Sequence, residues 1–194
     1  MTNGYVDIHT HTPRPDVASP TMLGVHPWDA EKGFALPHFE ACDIVGETGL
    51  DYACEVNRNA QQSLFEAHLE AAVRLKKPVV LHVVRSFEDV MLTLRHYSLQ
   101  GVVFHGFTGS EQQAKRCIER GYYLSFGHRS IRSPKTRQVI ATLPDDKLFC
   151  ETDDRTQPTI EQIYAEVATL RSTTIDKLKC QILSNYVKLF AKNG

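Results

Sequence analysis

The fold is indicated most clearly by the stretch Lys77–Arg85, which reads KPVVLHVVR. Val79–Val84 is an almost unbroken apolar run, which is typical of a strand buried on both faces of a parallel sheet. Pro78 disfavours helix at the residue before it. The preceding segment, Asn59–Lys76, carries apolar residues at helical spacing. A long helix that leads directly into a buried strand is the repeating unit of α/β proteins.

The same alternation of helix and strand continues in both directions along the chain. We predict further helices over residues 86–97, 110–121, 134–143, 159–170 and 175–192. We predict strands over residues 5–9, 22–26, 43–47, 79–84, 102–105, 122–126 and 147–151. This order predicts an α/β protein with a parallel sheet covered by helices, and a TIM-like barrel is the nearest complete architecture.

The predicted barrel is incomplete near its start. A complete barrel typically takes about 250 residues, whereas this chain has 194. Residues 12–21, between the first two predicted strands, are too few for a helical crossover and contain Pro13, Pro15 and Pro20. We therefore expect a TIM-barrel-like sheet truncated to seven strands by loss of one strand–helix unit. An extended strap, or a partner subunit in a homo-oligomer, would cover the open edge.

Composition limits the class of protein further. The length suits a single domain over residues 1–194. Lys and Arg number 22 against 23 Asp and Glu, which excludes a strongly basic nucleic-acid-binding coat and leaves room only for a local basic patch. No apolar run is long enough for a membrane span. The five cysteines are odd in number and lack C-x-x-C spacing, which favours free thiols and a cytoplasmic location.

Histidines and carboxylates gather at the carboxyl ends of the predicted strands, where barrel enzymes place their active sites. His9 and His11 form an H-x-H pair, and residues two apart in a strand point to the same face. Imidazole and carboxylate ligands suit zinc, manganese or iron better than calcium. The alternative is two unconnected histidines that flank a turn, and further candidate ligands at other strand ends weaken it. These are Glu47, His82, His105 and Asp153.

Eight motifs occur in the order seen in one known family. They are DIHTHT, GVHPW, GETGLDY, KPVVLH, VFHGFTGS, YYLSFG, LFCETD and a late N-x-x-x-L-F. The motifs extend from about residue 5 to residue 190, and through them the chain resembles the TatD-type metal-dependent hydrolases. The resemblance implies a barrel of the amidohydrolase superfamily with metal-dependent deoxyribonuclease or exonuclease activity.

The resemblance also implies ligands for two divalent ions, which would be zinc, manganese or magnesium. The first ion would be held by His9, His11, Glu47 and Asp153, and the second by Glu47, His82 and His105. Glu47 would bridge the two ions. Asp153 would also serve as the general base, because a carboxylate beside the ions can take the proton of a water molecule.

Three residues of these motifs have a second interpretation or a supporting role. His26 matches the family's further active-site histidine and would contact phosphate or another part of the substrate, although a histidine beside a proline can also serve a turn. Asp153 could instead cap the following helix. Asp51 is expected to orient a histidine ligand rather than to bind metal itself.

A basic segment adds a candidate substrate contact. Residues 128–137 carry four cations and no acid, and this segment follows a predicted strand end. Phosphate sites in barrels often use the loops after the last two strands, so we expect an anionic substrate there. The candidate contacts are Arg85, Arg129, Arg132, Lys135 and Arg155. The alternative is a solvated basic loop, since short charge runs are common on protein surfaces.

The sequence predicts a divalent-metal-dependent hydrolase that cleaves phosphodiester bonds, with nucleic acid as substrate and a metal-activated water as nucleophile. Two alternatives remain: hydrolysis of an amide, ester or small phosphoester, and a metal-bound interaction module with weak turnover. The chain departs from the family after the last Asp, where Asp154-Arg155-Thr156 replaces small-Pro-Tyr, and at Val84, where the family has arginine. Both departures affect substrate contacts and leave the implied metal ligands in place.

Overall fold

The computed structural model describes residues 4–33 and 35–191. Backbone contacts group these residues into two units. The continuous unit comprises Pro20–Phe104, and the two-segment unit combines residues up to Ser19 with His105–Ala191. A single domain over residues 1–194 stays a prediction. Among the described residues, no helix has the length and apolar character needed to cross a membrane.

Parallel strands form the centre of the continuous unit. Its elements, in chain order, are β1 Met22–Leu23, β2 Ile44–Asp51, α1 Arg58–Leu75, β3 Val79–Val84, α2 Phe87–Thr93 and β4 Val102–Phe104. The pairs β1–β2, β2–β3 and β3–β4 are all parallel. The parallel α/β class is therefore confirmed in this unit.

The helix and strand from which the fold was predicted form as expected. The Asn57 side chain caps α1 by accepting hydrogen bonds from the backbone of two residues in its first turn. The helix ends at Lys76, which adopts a left-handed conformation with φ of 51°. Phe65 and Leu69 on its inner face are fully buried, as is the first half of β3. Helical spacing and the buried apolar run thus defined both elements correctly.

An irregularity in β2 lies at Gly46 and Glu47. The register with β3 shifts between Val45 and Thr48, which is the mark of a β-bulge. Gly46 has φ of 143°, and a Cβ there would lie 2.5 Å from the Val80 carbonyl oxygen. Only glycine therefore permits this close approach. The predicted strand over residues 43–47 was too short, because pairing resumes after the bulge and continues to Asp51.

The two-segment unit repeats the pattern of strand and helix. Its elements, in chain order, are α3 Glu111–Glu119, β5 Tyr123–Phe126, α4 His128–Arg132, α5 Pro134–Thr142, β6 Leu148–Cys150, α6 Ile160–Leu170 and α7 Ile175–Phe190. Strands β5 and β6 are parallel. Capping boxes begin α3 at Ser110 and α6 at Thr159. The predicted helix over residues 175–192 has its last residue outside the described range.

The predicted first strand over residues 5–9 does not form a continuous ladder. Val6 bridges Ala18, while Thr10 bridges Asp153, both in parallel orientation. Between them, the Ile8 amide donates to the Cys150 carbonyl at 3.1 Å. The segment is extended, but its partners change along its length, so each contact is an isolated bridge. The described residues therefore contain six strands, and the predicted count of seven is not confirmed.

The proline-containing segment after His11 runs as an extended strap. The Asp7 amide donates to the Ala18 carbonyl at 2.9 Å, and the Ala18 amide donates to the Tyr5 carbonyl at 3.0 Å. Val17 is buried, and Arg14 pairs with Asp16 and with Glu161 of α6. The strap thus pairs with the first segment at Ala18, and its covering the open edge of a truncated barrel stays a prediction. A homo-oligomer stays a prediction that light scattering would test.

Candidate metal centre

Each unit contains its own group of side chains that could hold a metal ion. In the continuous unit, His26, Glu47 and His82 offer ligand atoms that all lie within 4.8 Å of one another. In the two-segment unit, His9, His105 and Asp153 meet the same limit. We call these the His82 group and the His105 group. Glu47 lies within β2 and His82 within β3, while the other four residues lie in or after the extended segments that precede them.

His82, within β3, is held between two carboxylates. Its Nε2 lies 3.0 Å from Asp51 Oδ2, and its Nδ1 lies 3.3 Å from Glu47 Oε2. Because an ionised carboxylate only accepts hydrogen bonds, Asp51 fixes the proton on Nε2 and leaves a lone pair on Nδ1. A nitrogen lone pair and a carboxylate oxygen then face each other, which suits a cation. Asp51 therefore orients the His82 ring, and metal binding by His82 stays a prediction.

Asp51 is ionised through an unusually complete set of contacts. Its Oδ2 also accepts from the Trp28 indole N–H at 2.7 Å, and its Oδ1 accepts from the Ala53 amide at 2.8 Å. Burial alone would raise the pKa of the Asp51 carboxyl, but the hydrogen bonds from Trp28, His82 and Ala53 outweigh burial and lower it. Asp51 therefore stays charged and keeps His82 in one tautomer.

His26 has a different hydrogen-bonding pattern from His82. Its Nδ1 accepts from the Trp28 backbone N–H at 3.2 Å, because His26 caps the short 3₁₀ turn Pro27–Asp29. A neutral imidazole that accepts at Nδ1 carries its proton on Nε2. That Nε2 lies 3.3 Å from His82 Nδ1. His26 is thus arranged as a donor, which fits contact with a substrate oxygen better than metal ligation.

The backbone brings His9, His11 and Asp153 together. Thr10 forms a parallel bridge with Asp153, so the two histidines flank the residue opposite Asp153. Asp153 Oδ1 lies 3.3 Å from His9 Nε2 and 3.7 Å from His11 Nε2. Asp153 has φ of 59°, a left-handed conformation that Asp tolerates better than most residues. His9 is buried, while Asp153 is 36% exposed and can be reached by water.

His105 has a carboxylate behind it that sequence analysis did not single out. Its Nδ1 lies 3.4 Å from Glu151 Oε1, and the same oxygen accepts from the Gly106 amide at 2.6 Å. Glu151 is only 1% exposed, and its Oε2 has no hydrogen-bond partner among the described residues. If Nδ1 donates to Glu151, the ring lone pair is on Nε2. Glu151 therefore selects the tautomer of His105, as Asp51 does for His82.

A second buried carboxylate, Asp7, ties the strand segment to the last strand end. Thr152 donates to Asp7 through its amide at 3.0 Å and through its hydroxyl at 2.6 Å. Burial raises the pKa of Asp7 from 3.8 to about 7, although both hydrogen bonds act to lower it. Asp7 and Glu151 had one sequence signal in common, a charged residue inside a run predicted to be buried.

The predicted basic contacts lie in the two-segment unit, apart from Arg85, which is exposed directly after β3. Arg129 and Arg132 belong to α4, and Arg155 follows β6. Together with desolvation, the three arginines lower the pKa of His128, so their charges act on one location. Arg132 also lines a groove of about 970 Å³ with Arg137. The convergence fits an anionic substrate.

Both groups fit a divalent metal ion. Each offers at least one imidazole nitrogen and a carboxylate oxygen, the ligand types that borderline divalent ions prefer. Each also has a carboxylate behind one histidine, a common arrangement at metal sites. Ring centroids of His9 and His105 lie 4.4 Å apart, so His105 accompanies His9 in this unit. How the ligands divide between two ions stays a prediction.

Parallel strands that carry histidine–carboxylate groups fit the class of metal-dependent α/β enzymes. The family model described as TatD related DNase matches residues 14–191. The chain therefore belongs to the TatD-related DNase family, and the predicted family is confirmed.

Individual relatives agree with this assignment. The chain is 29% identical to the uncharacterized metal-dependent hydrolase YabD of Bacillus subtilis, over 88% of this chain and 77% of that protein. It is 34% identical to the 3'-5' ssDNA/RNA exonuclease TatD of Citrobacter rodentium, over 69% of this chain but only 56% of that protein. The chain thus spans little more than half of the latter relative.

A solved structure supports the fold. The TatD homologue YjjV of Escherichia coli superposes with a TM-score of 0.81 and 25% sequence identity, over 98% of this chain and 99% of that chain. The chain thus shares the fold of that TatD homologue.

Proposed function

We propose that this chain is a divalent-metal-dependent hydrolase that cleaves phosphodiester bonds in nucleic acid. The observation that carries the proposal is the pair of histidine–carboxylate groups, each with a further carboxylate that orients one histidine. The names of the relatives, a DNase family and an exonuclease, support this substrate class. Three arginines that act on one location in the two-segment unit supply cationic contacts for phosphate.

The proposed cofactor is two divalent ions, zinc, manganese or magnesium. The proposed ligands are His9, His11, Glu47, His82, His105 and Asp153. Bound ions of this kind acidify a water molecule and offset negative charge on phosphate oxygens. The other steps belong to the protein. Asp51 and Glu151 hold the tautomers of His82 and His105, so that these rings are ready before substrate arrives.

Asp153 and His26 have separate proposed roles toward the substrate. Asp153 is exposed enough to meet water and acts as the general base that accepts its proton. His26 presents an Nε2–H, because its Nδ1 already accepts from the Trp28 backbone, and donates to a phosphate oxygen. Arg129, Arg132 and Arg155 attract the charged backbone of the substrate. We also propose a cytoplasmic location, which the five free cysteines support.

One experiment tests metal content and activity together. The chain is purified with manganese or zinc supplied, its metal content is measured by mass spectrometry, and hydrolysis is followed on a DNA oligonucleotide, an amide panel and small phosphoesters. We expect two ions per chain and preferential cleavage of the oligonucleotide. His82→Ala and His105→Ala should each reduce the content toward one ion. Full activity with at most one ion would refute the two-metal proposal.

The remaining outcomes separate the alternative functions. Preferential hydrolysis of an amide or a small phosphoester would replace nucleic acid as the substrate class. Two bound ions without turnover on any member of the panel would favour the interaction module.

A further inference from the structure

The tryptophan at position 28 is the one tryptophan in this sequence, and the hydrolytic roles proposed above do not use its ring. Trp28 lies on the 3₁₀ turn Pro27–Asp29, next to His26. Its side chain is 56% exposed. Single exposed apolar residues are common and need no explanation by themselves. The contacts of Trp28 distinguish it from such residues.

Trp28 is exposed and also fixed in position. Its indole N–H donates to Asp51 Oδ2 at 2.7 Å, and its backbone N–H donates to His26 Nδ1 at 3.2 Å. Its ring meets the His26 ring edge to face, with centroids 4.6 Å apart. Leu92 in the same unit is equally exposed, at 55%. Unlike Trp28, it has no polar side-chain group that could hydrogen-bond to the residues around His82.

These contacts determine what the exposed part of the ring can recognise. The polar N–H is already bonded to Asp51, so the remaining surface is apolar aromatic ring. A rigid aromatic side chain has few conformations to lose, so its binding to a ligand costs little conformational entropy. Every nucleobase has an aromatic face, and stacking of a base on an aromatic side chain is worth about 1–3 kcal/mol.

The position of Trp28 matches a substrate that carries both a phosphate and a base. His26 is arranged to donate to a phosphate oxygen and contacts the Trp28 ring directly. The His82 ring centroid is 6.1 Å from that of Trp28. A phosphate at the His82 group would therefore have a flat apolar surface beside it. A phosphoester without an aromatic group would leave that surface unused.

We propose that Trp28 is a stacking platform for a nucleobase of the substrate, beside the phosphate position at His26 and His82. This inference rests on the proposed function and makes it more specific: the enzyme recognises substrates that carry a base next to the bond that is cleaved. Asp51 has two functions in this arrangement. It fixes the tautomer of His82 and holds the platform in place through the indole N–H.

The test uses the intrinsic fluorescence of the metal-loaded protein, because Trp28 is its one tryptophan. The wild type is titrated with a short single-stranded DNA of phosphorothioate linkages, which is cleaved slowly, and with an abasic oligomer of the same length. Stacking of a base should quench the emission, and the abasic oligomer should leave it unchanged. Hydrolysis of ordinary phosphodiester versions of both oligomers is measured in parallel.

Variants separate stacking from a structural role. Trp28→Leu should raise the Michaelis constant for the base-bearing oligomer by roughly five- to 150-fold, the range that corresponds to one stacked base. It should change the constant for the abasic oligomer no more than Trp28→Phe does, because both variants lose the same hydrogen bond to Asp51. Trp28→Phe keeps a ring and should recover most of the loss. Leu92→Ala removes a similarly exposed apolar side chain and should have no effect on either oligomer.

Each outcome has a distinct meaning. Hydrolysis of base-bearing DNA without quenching would overturn the platform and leave the proposed function intact. Equal impairment of both oligomers by Trp28→Leu would also overturn it, because a structural role would not distinguish a base from its absence. If the wild type hydrolyses neither oligomer and its emission does not change, the proposed function fails and the platform fails with it.

Discussion

The His82 group and the His105 group each have a carboxylate that orients one histidine, but the carboxylates contact different ring nitrogens. In the continuous unit, Asp51 contacts Nε2 of His82, while in the two-segment unit Glu151 faces Nδ1 of His105. Asp51 has three donors on its two oxygens and a lowered pKa. Glu151 has one oxygen without a hydrogen-bond partner among the described residues. Asp51, behind His82, is thus more completely hydrogen-bonded than Glu151, behind His105.

This difference suggests a division of work between the groups. The carboxylate of the His82 group, Glu47, is 13% exposed, whereas Asp153 is 36% exposed and His11 is 54% exposed. A tightly held group suits binding and orientation, while a carboxylate that water can reach suits proton transfer. The following predictions test that division, beginning with the largest effect.

Loss of the Asp153 carboxylate should have the largest effect. Asp153→Asn keeps the shape of the side chain but removes its capacity to accept a proton, so turnover should fall by a factor on the order of 10²–10⁴. Steady-state kinetics on an oligonucleotide measures the change. Asp154→Asn is the matched control, because the neighbouring carboxylate is 66% exposed. Near wild-type turnover in Asp153→Asn would assign the proton acceptor to another group.

Removal of the carboxylates behind the histidines should have an intermediate effect. Asp51→Asn and Glu151→Gln should each weaken metal affinity or activity by about 10- to 100-fold, the usual cost of losing such a partner. We expect the larger loss for Asp51→Asn, because its contact to the histidine is 3.0 Å rather than 3.4 Å. Chelator competition with each purified variant measures the affinity.

A control is needed because Asp51 also holds the indole. Trp28→Phe removes the N–H donor to Asp51 while His82 keeps its partner, so metal affinity should stay close to that of the wild type. If Glu151→Gln retains metal as well as the wild type, the proposed similarity between the two groups is wrong.

The arginines of the two-segment unit should have a smaller effect that depends on salt. Replacing Arg129, Arg132 and Arg155 with Gln should raise the Michaelis constant for DNA. The logarithmic salt slope should fall by about 0.7 for each lost phosphate contact on a single strand. The control carries the same charge change on or beside α3, at Lys115, Arg116 and Arg120. Equal salt slopes in both triple variants would show that these arginines belong to a solvated surface and do not contact the substrate.

The smallest effect concerns stability in acid. His68 is fully buried, accepts from the Val25 amide at 2.9 Å and contacts the Leu64 carbonyl at 2.7 Å, so it is neutral. Burial lowers the pKa of His68 below 6.5. Since the unfolded chain then binds the proton more readily, stability should decline as pH falls below 6.5. Denaturant unfolding of the metal-free protein at pH 7.5 and 5.5 measures this.

A variant and an opposing group make the acid prediction specific. His68→Gln should reduce the difference in stability between the two pH values, and an unchanged difference would contradict the assignment. Asp7 in the two-segment unit acts with the opposite sign. Its pKa is raised from 3.8 to about 7, so its contribution favours the folded state in acid and is lost as pH rises through that window.

Local patterns predicted most of the regular elements. Helix α1 begins and ends within one residue of the predicted segment, and the apolar run of β3 was located correctly. Strand β1 was predicted to reach residue 26 but ends at Leu23. The cause is a tertiary contact: the Val25 amide donates to His68 Nε2 of α1 instead of to a neighbouring strand. Periodicity cannot reveal such a competing acceptor.

The candidate site was predicted only in part, because some of its contacts also depend on tertiary structure. His9, His11 and Asp153 were expected together, and a parallel bridge at Thr10 brings them together. Asp51 was expected to orient a histidine ligand, and it contacts His82 at 3.0 Å, while metal binding by His82 stays a prediction. Glu151 was missed because its role depends on its buried side chain lying beside His105. The order of residues along the chain does not specify that contact.

The alternation of helix and strand, the candidate ligand types and the motifs of the TatD family can all be read from the order of residues along the chain. These are local properties, since spacing decides which face a residue occupies. By contrast, the carboxylates that face His82 and His105, and the hydrogen bond that holds Trp28 to Asp51, become visible only in the folded chain. Those features depend on contacts between residues far apart in the chain, and no local pattern encodes them.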